Sequence, residues 1–155
     1  MSKGPDFDMQ TAHRRFAVDC FNQAWDLIDK PDRTPEEDEE MVRLTQASHW
    51  HWKQREDYTP KNEAISYWQT SRVYALLERA EEARRYGQLA LKASQAGDVE
   101  PFYLGYAYEA LARAEALAGN RAEAEAYLSA ARDVASKITE AEDRKLLLDD
   151  LETIG

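Results

Sequence analysis

Residues 62–90 read NEAISYWQTSRVYALLERAEEARRYGQLA, and this stretch decides the fold. Apolar and small side chains recur in it every three to four residues, which is the period of an amphipathic helix. The pattern breaks near residues 78–80 and then resumes. We therefore predict two helices joined by a short turn, which together form an antiparallel hairpin.

The same pattern returns 41 residues further along the chain (residue 83 to residue 124), at 105–131. Tyr67 aligns with Tyr108, and Arg72 aligns with Arg113. The other matches are Ala75 with Ala116, Leu76 with Leu117, Glu82 with Glu123, Ala83 with Ala124, Tyr86 with Tyr127 and Ala90 with Ala131. Repeated helix hairpins are typical of a stacked solenoid.

Proline, glycine and capping residues divide the rest of the chain into helices, about seven in all, with no strand. The clearest start is Thr34-Pro35, where Thr34 can cap the helix and Glu37 can complete a capping box. Thr59-Pro60 repeats this arrangement. We expect an all-α single domain over 1–155, with hairpins at about 8–57, 59–97 and 98–137 and a capping helix at about 139–154.

The hairpins resemble the tetratricopeptide repeat, which places a large residue early in its first helix and two alanines in its second. The resemblance covers about residues 60–136, and in the later copy it rests on the Gly119-Asn120 turn. The other residues that carry it are Leu111, Ala112, Ala124, Leu128 and Ala131, and Tyr74, Ala83 and Ala90 in the earlier copy. It implies a right-handed stack whose first helices line a concave ligand-binding face.

Three residues depart from that family's pattern: Ser71, Glu78 and Gly87. The 41-residue spacing also exceeds the family's usual length of about 34. The runs 67–74 and 101–113 also resemble an uncharacterised bacterial family, which brings no known activity with it.

The composition restricts the classes of partner. The net charge is −10, so nucleic acid and anionic membranes would be repelled. Cys20 is the only cysteine, which excludes an intramolecular disulfide and a cysteine-based metal cage. No signal peptide or apolar run of membrane-spanning length is visible, and we expect a cytoplasmic protein.

One candidate site follows from the resemblance, because Trp68 and Arg72 align with Glu109 and Arg113. Each pair is spaced i, i+4 and so shares one helix face. The resemblance implies a peptide-binding groove, for a carboxylate-bearing peptide or a small anion, lined by Trp25, Trp68, Arg72, Tyr106, Glu109 and Arg113. The alternative is that the two arginines form structural ion pairs with Glu109 or nearby acids.

A second candidate is the run His49-Trp50-His51-Trp52. On a helix the two imidazoles diverge by roughly 200°, so they do not readily share a metal ion. Only His13, from another helix, could join one of them. We therefore predict no metal here, with Trp52 packed inward, one histidine hydrogen-bonded within the hairpin and Trp50 partly exposed.

Catalytic motifs are absent from the sequence, and no cofactor is predicted. We expect a noncatalytic module that binds a protein or peptide partner. The alternative is a small-ligand or metal-binding protein, or an enzyme, built around His49, His51 and Trp52. Homodimerisation through the leucine-rich last helix is a third reading, since Leu146, Leu147 and Leu148 cover more than one helix face.

Overall fold

A computed structural model describes residue 4 and residues 6–155 of the chain. These residues form seven helices and no strand, which confirms the predicted all-α fold. None of these helices is long and apolar enough to cross a membrane. The helices are α1 (Met9–Ile28), α2 (Pro35–Lys53), α3 (Pro60–Leu76), α4 (Ala80–Ser94), α5 (Pro101–Leu117), α6 (Arg121–Ala135) and α7 (Ala141–Glu152).

The helices belong to two compact units, residues 1–59 and residues 60–155. In the first unit α1 packs against α2 as a hairpin. In the second unit the hairpins α3–α4 and α5–α6 pack in sequence order, and α3 also touches α5. Helix α7 packs on α5 and α6. Each unit is compact by itself, and one domain over 1–155 stays a prediction.

Helix α2 begins with the predicted capping box. Thr34 Oγ1 accepts a hydrogen bond from the Glu37 amide at 3.1 Å. The Thr34 amide donates in return to Glu37 Oε1 at 3.0 Å. Two amides that the helix itself cannot satisfy are thereby paired, and Pro35 occupies the first turn without losing a hydrogen bond.

The 41-residue repeat is present in the backbone of the second unit. Helices α3 and α5 begin and end 41 residues apart (60 to 101, 76 to 117), and so do α4 and α6 (80 to 121, 94 to 135). The turns also match, since the Arg79 amide donates to the Tyr74 carbonyl at 2.9 Å and the Asn120 amide to the Glu115 carbonyl at 2.9 Å. Equivalent positions therefore have the same backbone structure in the two hairpins.

Aromatic pairs occupy the same place in each hairpin. The rings of Tyr67 and Tyr86 lie 6.0 Å apart, and those of Tyr108 and Tyr127 lie 6.3 Å apart. These four tyrosines are the residues that align at the 41-residue spacing. Their alignment reflects packing between the two helices of one hairpin.

Gly87 departs from the repeat because of the helix that packs on it. A Cβ at Gly87 would lie 2.9 Å from Leu111 Cδ2, which is closer than side chains tolerate. The later copy has Leu128 at this position, and it belongs to the apolar core with Leu147 and Leu151. Glycine in the earlier copy thus lets α5 approach α4 closely.

The turns of the two hairpins differ in strain. Glu78 has φ of 59°, and Gly119, its equivalent, has φ of 82°. The left-handed region suits glycine and disfavours a residue with a Cβ. We expect Glu78→Gly to stabilise the second unit by roughly 0.5–1 kcal/mol, measured by urea denaturation.

Gly119→Ala is the opposite substitution at the equivalent turn. It should destabilise the second unit by about 1 kcal/mol or more, since no heavy atom blocks the new Cβ and the cost is that of the backbone. Loss of stability in both variants would contradict the assignment of strain to Glu78.

Candidate functional site

The centre of the candidate site is Glu109, a carboxylate with no exposed surface. Its Oε2 accepts a hydrogen bond from Trp68 Nε1 at 3.0 Å. Its Oε1 accepts from Arg72 Nη2 at 3.1 Å and from Arg113 Nε at 2.9 Å. Helices α3 and α5 thus direct an indole and two guanidinium groups at one buried carboxylate, and we call Trp68, Arg72, Glu109 and Arg113 the Glu109 cluster.

The repeat explains why these residues meet. Trp68, Glu109 and Asp150 occupy one position at successive intervals of 41 residues, on α3, α5 and α7 (68, 109, 150). Helices α3 and α5 are in contact, and so are α5 and α7. Equivalent faces of these neighbouring helices lie side by side. Trp68, Glu109 and Asp150 therefore form a row across the second unit, and Arg72 and Arg113 lie beside it, one turn further along α3 and α5.

Helix α7 closes the other side of the cluster. Arg113 Nη2 donates to Thr153 Oγ1 at 2.8 Å and to the Asp150 carbonyl at 3.3 Å. Tyr106 donates its hydroxyl proton to Asp150 Oδ2 at 2.6 Å. Burial, followed by this hydrogen bond, raises the pKa of the Tyr106 phenol. Part of the predicted groove is therefore occupied by the chain's own last helix.

Both arginines are engaged in ion pairs with Glu109, which is the alternative that the sequence left open. One carboxylate nonetheless serves two guanidinium groups. Arg72 also lies over the Trp68 ring, at 5.9 Å from its centroid. Within the described chain, Arg72 Nε and Nη1 and Arg113 Nη1 make no hydrogen bond. These nitrogens leave each arginine with unused donors.

An open cleft of about 310 Å³ lies beside the cluster, between the ends of α3, α5 and α7. Leu76 and Leu117, which are equivalent in the repeat, form apolar walls and are 36% and 38% exposed. The arginines of the cluster contribute polar surface. The lining residues are Arg72, Ala75, Leu76, Arg113, Ala116, Leu117, Thr153, Ile154 and Gly155.

Trp25 belongs to the other compact unit, on α1. It is half-buried, and its ring meets that of Phe21 edge-on at 6.4 Å. The cleft described above is built without it. A role for Trp25 in ligand binding stays a prediction.

The histidines of α2 have separate environments. His49 is buried, and its Nε2 lies 2.9 Å from the Tyr58 hydroxyl. Burial, with a smaller contribution from the Lys53 charge, lowers the pKa of His49 to about 4. His49 is therefore neutral at physiological pH.

His51 faces α1 instead. Its Nδ1 lies 2.9 Å from Nδ1 of His13, the residue that the sequence identified as the only available imidazole partner. Burial, and then the His13 charge, lowers the pKa of His51. Trp50 is 57% exposed and Trp52 is half-buried. The two histidines thus point to different partners, as the divergence on a helix predicts.

Groups of three or more His, Cys, Asp or Glu side chains placed to hold a metal ion do not occur among the described residues.

The leucines of α7 divide between the core and the surface. Leu147 and Leu151 are buried, whereas Leu146 and Leu148 are exposed. Dimerisation through α7 stays a prediction.

Sequence reasoning missed Asp150 and Thr153 as parts of this site, and it treated Leu76 and Leu117 only as matching residues of the repeat. The signal for Asp150 was present, since it follows Glu109 by the repeat length (109 to 150). Thr153 gives no such signal, because its contact with Arg113 depends on how the end of α7 packs.

Comparison with known proteins gives no relative for the chain: no family model, curated protein or solved structure matches it.

The Glu109 cluster makes a prediction for stability. Glu109→Ala removes the acceptor of three donors and leaves two partly buried guanidinium groups facing each other. Breaking a buried ion pair on one side costs about 3–5 kcal/mol. We expect a loss near 3 kcal/mol, because the arginines retain 17% and 19% exposure, and urea denaturation measures it.

Asp149→Ala is the matched control in the same unit. Asp149 pairs with Lys145 at an exposed position, and such pairs contribute roughly 0–1 kcal/mol. An equal decrease in the free energy of unfolding in the two variants would show that the buried ion pairs of Glu109 contribute no more to stability than an exposed pair.

His49 makes a prediction for pH dependence. Its folded-state pKa of about 4 lies below the unfolded value of 6.5, so the unfolded chain binds more protons between these values. Stability is therefore complete above pH 6.5 and falls as the pH drops toward 4, by up to about 3 kcal/mol. Hydrogen exchange of the α2 amides at pH 7, 6, 5 and 4 measures this loss.

His49→Gln keeps a hydrogen-bonding group for the Tyr58 hydroxyl and removes the titrating ring. The fall in protection of α2 over this pH range should shrink in that variant. An unchanged fall would assign the acid sensitivity to another group.

Proposed function

We propose that the protein is a noncatalytic interaction module that binds a peptide segment of a partner protein in the cleft of the second unit. One observation carries the proposal: the cleft places unused arginine donors next to exposed apolar walls. An interface typically combines an apolar anchor with a few oriented polar groups, and arginine is enriched at such sites.

The chemistry of the cleft suggests which peptide fits. An aliphatic side chain would bury apolar surface against Leu76 and Leu117. A carboxylate beside it would accept hydrogen bonds from Arg72 and Arg113, whose planar groups suit carboxylate geometry. Although the net charge of the chain is −10, the two arginines make the cleft itself better suited to an acidic segment than to a basic one.

The state of the polar groups supports binding over acid–base chemistry. Glu109 already accepts from three donors, and Tyr106 is hydrogen-bonded to Asp150 with a raised pKa. Glu109 has no exposed surface, and the hydroxyl proton of Tyr106 is engaged by Asp150, so neither group is free to exchange a proton with a bound molecule. Both residues serve to orient the arginines and α7.

The resemblance to tetratricopeptide repeats supports the same location. It implies that ligands bind on the face of the first helices, and the cleft lies among α3, α5 and α7. These three helices are consecutive in the 41-residue series.

The test uses the exposed leucines, because removing the arginines would also break the Glu109 cluster. Peptides selected on the full chain from a display library are measured by fluorescence anisotropy. Leu76→Ser with Leu117→Ser should weaken binding at least about tenfold, since two anchor contacts worth near 1 kcal/mol each are lost. The selected peptides should be enriched in acidic and aliphatic residues.

Leu146→Ser with Leu148→Ser is the matched control, since it removes two leucines of similar exposure from α7. This variant should change the dissociation constant less than twofold. Failure to select any peptide, or equal weakening by both double variants, would overturn the proposed site.

A further inference from the structure

His13 on α1 and His51 on α2 meet across the hairpin of the first unit. Their Nδ1 atoms are 2.9 Å apart, and their ring centroids are 5.2 Å apart. Both rings are half-buried. A neutral imidazole has one N–H and one acceptor nitrogen, so one Nδ1 donates and the other accepts.

Counting protons on the pair gives three states. With no added proton, one ring donates its Nδ1–H to the other. The first added proton goes to the free Nε2 of the donor ring, which becomes an imidazolium and donates a stronger, charge-assisted hydrogen bond. The second can only go to the accepting Nδ1, which removes the acceptor and places two cations against each other.

We propose that His13 and His51 form a proton-operated clasp between α1 and α2, closed with no or one added proton and opened by the second. The two protons then bind in separate steps, because each belongs to the pair and not to one ring.

Among charged groups, only His13 contributes to the lowered pKa of His51. The charged groups near the pair along the chain include Asp8 and Arg14 on the α1 side and Lys53, Arg55, Glu56 and Asp57 on the α2 side. Arg55 is paired with Asp57, and Asp8 is bonded to Thr11. The pKa of His51 is lowered by burial first and then by the charge of His13, with no contribution from these six groups.

Opening the clasp would change a surface rather than unfold the hairpin. Trp50 lies 5.7 Å from the His13 ring and 5.1 Å from the His51 ring, and Phe16 lies 5.3 Å from the His51 ring. Trp50 and Phe16 are 57% and 52% exposed. Separation of the imidazoles would therefore rearrange this exposed aromatic patch.

Other bonds hold the helix ends together while the rings move. Gln10 donates to the Gln54 carbonyl at 2.9 Å and accepts from the Glu56 amide at 2.8 Å. Arg55 donates to the Gln10 carbonyl at 2.6 Å. None of these three bonds involves a titrating acceptor, so they persist on acidification.

The experiment follows the imidazole resonances of the full chain by NMR and the indole emission by fluorescence, from pH 8 to pH 4. The Trp50→Phe variant identifies the Trp50 part of the emission. We expect the pair to take up its two protons in two separate steps. The emission of Trp50 should change with the lower step only.

His13→Gln leaves a single titrating ring at the clasp, and the lower step in Trp50 emission should vanish. His51→Gln should give the same result, and circular dichroism checks that both variants keep their helices. His49→Gln is the control, and it should retain both steps because His49 bonds to Tyr58. A single shared midpoint for His13 and His51, or a Trp50 response that survives both substitutions, would overturn the proposal.

Discussion

The second unit depends on the burial of one carboxylate. Placing an ionised group out of water costs several kcal/mol unless donors replace its hydration. Glu109 obtains those donors from Trp68 on the preceding first helix and from Arg72 and Arg113. The requirement fixes the relative height of α3 and α5, since a sliding movement would deprive the carboxylate of its partners. Arg113 also donates a hydrogen bond to Thr153, which positions the end of α7 against α5. A single buried charge thereby sets the register of three helices.

This constraint also shapes what the cleft can bind. The arginines are held in place before any ligand arrives, because Glu109 occupies one edge of each guanidinium group. Side chains that are already ordered lose little entropy on binding. The same arrangement limits their strength as anion receptors, since Glu109 cancels part of their charge. For the proposed peptide, the apolar walls would therefore supply much of the affinity, and the arginines would mainly set its orientation.

Much of the fold was predictable because its signals are local. The capping box at Thr34, the turn at Gly119 and the 41-residue repeat each lie within a few residues or one period, and the structure contains all three. The ion pairs of Glu109 were one of two stated outcomes, since both arginines share its face of the repeat. Asp150 was missed although the repeat places it one period after Glu109. The contact of Thr153 gave no such signal, because it arises where α7 meets α5 and has no counterpart within one hairpin. Contacts between helices distant in the chain depend on packing angles that sequence spacing does not specify.

Positions 68, 109 and 150 lie 41 residues apart on α3, α5 and α7. This spacing determines which insertions the second unit can accept. Helix α5 packs against α7, as α3 packs against α5. An inserted period of 41 residues, which is one helix hairpin, could therefore pack against the hairpins before and after it. An insertion of one residue within α5 would instead rotate everything beyond it by about 100° and separate Glu109 from Arg72. Within the helices of the second unit, a change of length preserves these contacts only in steps of one period.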